Sequence, residues 1–436
     1  MKKQHELDRM IPLVREMVVG DCSDEEIIAA FQNFRVTCIG DANNLSTHSG
    51  QVALVTLISL VARMGVQIDI RIPEIELFGV QPPLNGCYLR SGILDLGSDL
   101  IPGSAITCWD NGKVDVALVM GDTAAPRLDC ASWRLVGTAW SGTIHPIERK
   151  GAAWSDAWPI GAMVAAALAA SEVFKAVVRQ IQLSKPTPFW LEYVDQIRDA
   201  AWDFGHGLPI PHHLDMDQFD MVSGGAVSQA LYFALMRLPE VHLRSRVFDN
   251  DTTDNTNLNR NLLSRYRHIG MKKIDVIRSY DIQNITAVCA RLTEVNIHDY
   301  VPLAPSVLVG ADDIPTRWLI QSCFPQWLGV CGTSHFGTLT SSHTKGEACA
   351  GCLHWHDEQG VGEIIPTVSF ISFWAGLALA VRVLRKEIGR PYSKREQALW
   401  LVPLRMDDPN AGFWSTVSPR ADCPVQCQAS RAAIAR

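Results

Sequence analysis

Two kinds of apolar stretch alternate along the chain. Short runs rich in valine and isoleucine, such as residues 34–41 (FRVTCIGD) and 66–72 (VQIDIRI), have the length of strands; residues 51–64 between them are apolar for longer and predict a helix. Strand, helix and strand in succession imply parallel pairing with right-handed crossovers. The order returns further on: residues 219–223 (FDMVS), a glycine pair, a helix over 226–238 and a strand ending at Asp249. Ahead of the first unit, Ser23 with Glu26 three residues on reads as a capping box that opens a helix through Gln32.

The recurrence extends to sequence. Residues 137–144 (GTAWSGTI) and 332–339 (GTSHFGTL) agree at four of eight positions. Upstream of each lies an apolar strand ending in an acid, 117–122 (ALVMGD) and 307–312 (VLVGAD), and downstream of each a long apolar helix, 159–181 and 366–388. Three features kept in order and spacing mark an internal repeat. The expected fold class is therefore α/β, with two Rossmann-like lobes in tandem: a helical segment over 1–33, a first lobe over 34–185, a linker over 186–213 punctuated by Pro186, Pro188, Pro209 and Pro211, and a second lobe over 214–436.

Composition narrows the function. Lys and Arg number 39 against 46 Asp and Glu, and a net charge of −7 argues against a nucleic-acid or anionic-membrane partner. Residues 364–381 form an uncharged run long enough to approach a membrane span, but Pro366 breaks its start and Arg382, Arg385 and Lys386 continue it, so a buried helix is expected. Twelve cysteines are too dilute for a disulfide framework, and residues 1–17 are charged throughout, which makes the cytoplasm the expected location.

The candidate chemistry lies in the second half, in loops after strands, where open parallel sheets bind ligands. Asp249 ends the second strand there and can accept bonds from ribose hydroxyls; Arg260 and Lys273, 13 residues apart, can converge on a polyphosphate; Asp312 and Asp313 offer hard carboxylates suited to magnesium. Ribose acceptor, phosphate cations and metal acid together describe an ATP site.

These residues resemble those of the ubiquitin-activating and MoeB/ThiF-like adenylyltransferases. The family's two acids, Asn-Leu-x-Arg and Gly-x-x-Lys are matched by Asp249, Asp251, Asn257, Arg260 and Lys273, and its Thr-Asp-Asn followed by arginine is similar to Ala311-Asp312-Asp313 with Arg317. The resemblance implies that Asp249 holds the ribose, that Asn257, Arg260 and Lys273 hold the triphosphate, and that Asp312 organises magnesium and the attacking carboxylate. It implies a zinc ion held by Cys349, Cys352, Cys423 and Cys427; the second pair is spaced C-x3-C, so His354 or His356 stands as an alternative ligand. The first half lacks Asn-Leu-x-Arg and keeps only Asp122, as the inactive half of a fused pseudodimer does, and such a partner lobe sends an arginine to the active site, with Arg9 and Arg15 as candidates. A ubiquitin-like protein as substrate, a conjugating enzyme as next acceptor and a bacterial ubiquitin-like conjugation operon as setting are implied by the same resemblance.

Two departures qualify it. Where the family has GxGGxG, this chain has Ser223-Gly224-Gly225-Ala226-Val227-Ser228; two glycines still let the backbone approach a phosphate over a helix N-terminus. Residues 353–366, where activating enzymes carry a catalytic cysteine, have none, leaving Cys331 and Cys323 as candidate thiols in the lobe, with Cys87, Cys108 and Cys130 in the first; each also reads as a buried apolar residue. His335 and His343 read as satisfied strand residues. The alternatives are a sulfur-carrier or small-peptide adenylyltransferase that forms no thioester, and a zinc-clamped scaffold that binds no nucleotide. The glycine loop lacks a dinucleotide fingerprint, against an NAD oxidoreductase.

Overall fold

The computed structural model describes residues 5–155, 158–185, 199–205, 207–280, 284–355 and 365–428. Helices α1 (Ile11–Met17) and α2 (Asp24–Asn33) precede the first sheet. The expected capping box is formed: Ser23 Oγ accepts from Glu26 N and Glu26 Oε2 from Ser23 N. The chain continues through β1 (Arg35–Ile39), α3 (Ala42–Leu45), α4 (His48–Ala62), β2 (Gln67–Arg71), α5 (Leu89–Leu96), β3 (Ile106–Cys108), β4 (Val116–Met120), β5 (Ala131–Gly137), β6 (Ser141–Pro146), α6 (Ile160–Leu183) and β7 (Ala200–Asp203). These strands form one sheet in the order β3-β2-β1-β4-β5-β6-β7, parallel up to β5 and antiparallel beyond. Helix α4 starts at His48, three residues before the sequence expectation, because Thr47 Oγ1 accepts from Gly50 N and caps it. Strand β7 falls inside the stretch expected to be a linker and pairs with β6.

The second half follows with β8 (Leu214–Asp215), β9 (Phe219–Val222), α7 (Ala226–Leu235), β10 (Val241–His242), β11 (Arg244–Phe248), α8 (Lys273–Arg278), β12 (Asn284–Val288), β13 (Ser306–Val309), α9 (Ile314–Ser322), β14 (Trp327–Ser334), β15 (Gly337–Thr344), α10 (Ala350–Leu353), α11 (Ser369–Glu387), β16 (Ala398–Leu401) and β17 (Gly412–Ser415). Its main sheet runs β12-β11-β9-β13-β14-β15-β16-β17, again parallel through β14 and antiparallel after it. Strand for strand the order repeats that of the first sheet, with β17 added at the edge. The matching octamers occupy the β5–β6 and β14–β15 hairpins.

The central strands β4, β9 and β13 are buried at every position, as expected where helices cover both faces of a parallel sheet. One apolar core runs through both halves. Helix α4 packs on α6 and α7 on α11, and α6 meets α11, where Phe174 and Phe370 rings lie 5.6 Å apart. Ser369 Oγ donates to the Leu60 carbonyl across the same boundary at 2.7 Å. Among the described residues one helix, α6, is long and apolar enough to cross a membrane, and its apolar stretch is wholly buried here. Helix α11, which takes in residues 369–381 of the uncharged run, is packed against α7 and the second sheet.

Candidate active site

In the second sheet, β9 lies between β11 and β13, so the chain leaves it in opposite directions on its two sides. Loops diverge at such a point and leave a crevice at the strand ends. Two adjoining cavities occupy it. One, of about 310 Å³, is lined by Ser223, Gly225, Asn257, Arg260, Lys273 and Asp312, and by Arg9 from the N-terminal segment. The other, of about 170 Å³, is lined by the apolar Val222, Phe248 and Leu292 together with Asp249. Ser223, Asp251 and Asp312 belong to both walls.

The turn after β9 explains how the shortened glycine loop still works as a platform. Ser223 has φ 90°, a left-handed conformation that glycine adopts without steric cost, and its Oγ accepts from Gly225 N at 3.1 Å. Gly224 turns its N–H to Asp249 Oδ2 at 2.7 Å, which ties the turn to the end of β11. Gly225 then caps α7, whose first residues Ala226 and Val227 reach the larger cavity.

The long loop after β11 brings the remaining residues in. Asp249 Oδ1 accepts from Asp251 N at 2.6 Å. Lys273 Nζ bonds Asp251 Oδ2 at 2.8 Å, and this hydrogen bond holds the Asp251 carboxyl below the ordinary carboxylate range. Asn257 is buried, its Oδ1 accepting from Asp254 N. Arg260 Nη1 donates to the Thr256 carbonyl and to Asn259 Oδ1. Burial first, and then the charge of Arg9, push the Arg260 pKa down to about 10. Arg9 donates to the Ile365 carbonyl at 3.3 Å. Neither guanidinium has a carboxylate partner among the described residues, although both face one cavity. Arg15 instead pairs with Asp24 and lines neither cavity, so of the two N-terminal arginines the fold brings only Arg9 to the site.

Asp312 and Asp313 separate in the structure. Asp313 caps α9, its Oδ2 accepting from Thr316 N at 3.1 Å. Asp312 makes no hydrogen bond or ion pair among the described residues and faces both cavities. Arg317 braces this turn: it is buried and donates from Nε and Nη2 to the Ala311 carbonyl, and from Nη2 to that of Cys331.

Neither Cys331 nor Cys323 is poised to react. Cys331 is wholly buried in β14, its Sγ pointing to the Val309 carbonyl, and burial pushes its pKa up to about 12. Cys323 is part-buried at the end of α9 with its pKa also raised by burial. A thiol nucleophile needs the opposite shift and an open approach. Cys87 and Cys108, read from the sequence as buried apolar residues, are instead exposed, and Cys130 is half-buried, all in the first half. His343 is buried, its Nδ1 2.9 Å from the Ala348 carbonyl and its Nε2 2.9 Å from Ser341 Oγ, while His335 stands in the β14–β15 turn opposite Glu16.

The four candidate metal ligands come together. The Sγ atoms of Cys349, Cys352, Cys423 and Cys427 all lie within 4.8 Å of one another, with Cys349–Cys352 at 3.9 Å, Cys349–Cys423 at 3.4 Å and Cys352–Cys427 at 3.7 Å. Thiolates around a tetrahedral zinc with bonds of about 2.3 Å stand about 3.8 Å apart, so the donor set fits that ion. His354 turns away, its Nδ1 3.0 Å from Arg317 Nη1. His356 lies outside the described residues.

At the corresponding strand ends of the first sheet a single side chain bridges the loops. Asn44 Nδ2 bonds Asp41 Oδ1 at 2.9 Å, Asp122 Oδ1 at 2.8 Å and Thr123 Oγ1 at 3.1 Å, while its Oδ1 accepts from Trp154 N at 3.0 Å. One buried amide thus occupies the position between β1 and β4 where the second half keeps its crevice.

Two further groups belong to the site and carry no motif in the sequence. Gln229, one turn into α7, donates to the Gly224 carbonyl and accepts from Leu263 N and Ser264 N; a glutamine at a buried position of an apolar helix was the available signal. Arg63, from the first half, reaches the same loop.

Residues 35–185 match the model of the BilD N-terminal domain, and residues 242–407 match the model of the ThiF family. The uncharacterized protein y4jF of Sinorhizobium fredii (strain NBRC 101917 / NGR234) is 23% identical over 258 residues, which are 56% of this chain and 48% of that protein. The chain thus spans about half the length of this curated relative. Among solved structures, E. coli MccB with selenomethionine MccA is similar at 15% identity and TM-score 0.40, over 48% of this chain and 66% of that one. E. coli MccB with MccA-N7isoASN is similar at 11% identity and TM-score 0.40, over 68% of this chain and 97% of that one. Through residues 242–407, which hold the acids, the Asn-Leu-x-Arg loop and the lysine of the crevice, the chain carries a ThiF-family domain.

Proposed function

We propose that this protein is an ATP-dependent adenylyltransferase that activates the C-terminal carboxylate of a ubiquitin-like protein. The observation that carries the reading is a cavity with two guanidiniums, Arg9 and Arg260, lacking carboxylate partners among the described residues, beside the N-terminus of α7 and the ammonium of Lys273. Cations left unneutralised around a helix N-terminus are complementary to a phosphate chain. The adjoining cavity, apolar at Phe248 and Leu292 and acidic at Asp249, has the chemistry for a base and a ribose.

In this reading Asp249 and the Ser223–Gly225 turn fix the nucleoside, and Asn257, Arg260, Lys273 and Arg9 hold the triphosphate. Asp312, unpartnered at the junction of both cavities, is the carboxylate that would hold magnesium, which when bound offsets phosphate charge. The substrate carboxylate attacks the α-phosphorus, the bond to the bridging oxygen of the β-phosphate breaks, and pyrophosphate leaves with that electron pair. The chain's part is to position the two reactants and to stabilise charge on the leaving group. The four thiols are proposed as a closed structural zinc site that fastens residues 423–427 to α10.

The first half is proposed as the inactive member of a fused pseudodimer. The repeated strand order, the Asn44 plug and the match of residues 35–185 to the BilD N-terminal domain support this, and the match also supports a place in a bacterial ubiquitin-like conjugation operon. Burial of Cys331 and Cys323 favours direct hand-over of the acyl group to a thiol on a separate conjugating enzyme. The same burial favours, as a second reading, a sulfur-carrier or peptide adenylyltransferase without a thioester. Intact mass spectrometry tests the proposal: a glycine-terminated ubiquitin-like protein incubated with enzyme, ATP and magnesium should gain one adenylyl group while the enzyme keeps its mass. A reductant-sensitive adduct on the enzyme would replace direct hand-over by an internal thioester, and unchanged masses with no AMP formed would refute adenylation.

A further inference from the structure

The loop that carries Asn257, Arg260 and Asn261 has its own architecture beneath the cavity. Its amides at Leu263 and Ser264 donate to Gln229 Oε1, each at 3.1 Å, and its Leu263 carbonyl accepts from Tyr280 Oη at 2.8 Å. Three more carbonyls converge on one side chain from the other half of the chain. Arg63, the C-cap residue of α4, donates from Nη1 to Leu258 O at 2.6 Å and from Nη2 to Leu262 O at 2.9 Å and Ser264 O at 2.7 Å. It has no exposed surface. A planar guanidinium with its donors in a fixed fork can hold three carbonyls at once in one geometry; an ammonium on a flexible stem cannot reproduce that. Leu258 lies between Asn257 and Arg260, so the bond to its carbonyl sets the backbone from which both of those side chains reach the cavity.

We propose that Arg63 is a positioning residue for nucleotide binding, through which the first half shapes the phosphate-holding loop of the second. The inference rests on the ATP reading above and deepens it: the half whose corresponding strand ends are bridged by Asn44 still completes the crevice of the other. Burial lowers the Arg63 pKa to about 9, so the group remains charged at neutral pH.

The fold contains an internal control. Arg237, which follows α7 as Arg63 ends α4, is also buried and also crosses to the opposite half, donating to Phe233 O at 2.7 Å and to Pro82 O. It braces a first-half loop that carries none of the nucleotide groups. A merely structural buried arginine should therefore behave alike at both positions, and a positioning role should not.

The experiment compares the full-length wild type, R63K and R237K by calorimetric titration with ATP and by amide hydrogen exchange of residues 257–264. R63K is expected to weaken ATP binding at least tenfold and to speed exchange across 257–264, whereas R237K stays within about twofold of wild type in both, even where its melting temperature falls as far. Equal losses in the two variants, or wild-type affinity in R63K, would overturn the inference while leaving the ATP reading intact. Failure of R63K to fold while R237K folds would also overturn it, because the assigned role is local to the loop. A wild-type protein that binds no ATP would remove the reading and the inference together.

Discussion

Asp312 and Asp313 show how much one position matters at the residue scale. The Asp313 carboxylate is engaged at the start of α9, whereas Asp312 faces the cavities without a partner among the described residues. Loss of a side-chain N-cap costs about 1 kcal/mol, so Asp313→Ala should lower stability by roughly that amount in urea unfolding. Asp312→Ala removes no internal bond among those described and should leave the unfolding midpoint close to wild type. His343 gives a second test. Burial pushes its pKa from 6.5 down to about 4, so as the pH falls the unfolded chain takes up this proton before the folded one does. Its contribution to stability is complete above about pH 6.5 and is lost between 6.5 and 4, at about 1.4 kcal/mol per pH unit. Urea unfolding across that range should show the slope reduced in His343→Gln; an unchanged slope would mean that the ring titrates normally in the fold.

At the scale of elements, the thiol cluster joins pieces far apart in the chain: Cys349 and Cys352 flank the start of α10, and Cys423 and Cys427 bring the C-terminal residues to it. Purified protein should contain about one zinc per chain by elemental analysis. Cys423→Ser or chelation should remove the ion and expose residues 416–428 to protease, and a metal-free protein with an unchanged digestion pattern would contradict a structural zinc. Much of this scale was legible in the sequence. The repeated octamers, the strand-end acids and the Asn-Leu-x-Arg spacing are local patterns, and they marked the repeat and the acid-bearing loop, whereas the hairpins formed by the octamers emerge only in the fold. Contacts settled only by tertiary approach were not legible. Arg9 and Arg15 lie six residues apart on one segment, and only its docking against Ile365 and Thr367 separates them. His354, a possible replacement for one thiol on spacing alone, is turned by the fold to Arg317. Arg63 and Gln229 act on backbone groups of residues remote in sequence, which leave no motif to read.

At the scale of the whole molecule, the two sheets share a strand order and differ at their strand ends. The first is closed by Asn44 and the second open at Arg260 and Asp312. The halves are nevertheless one body, joined by a continuous core and by Arg63, Arg237 and Ser369 reaching across. That arrangement accounts for an N-terminal arginine, Arg9, standing in a cavity otherwise built from the second half. The central claim is that this cavity holds ATP for attack by a protein carboxylate. Exchange of labelled pyrophosphate into ATP, measured with a glycine-terminated ubiquitin-like protein, tests it most directly, because exchange requires reversible adenylate formation and no later step. The account predicts exchange that depends on the carboxylate protein and falls at least a hundredfold in Asp312→Ala, an estimate from the electrostatic stabilisation such a group supplies. Exchange equal in wild type and Asp312→Ala, or none with any carboxylate protein despite bound ATP, would contradict it.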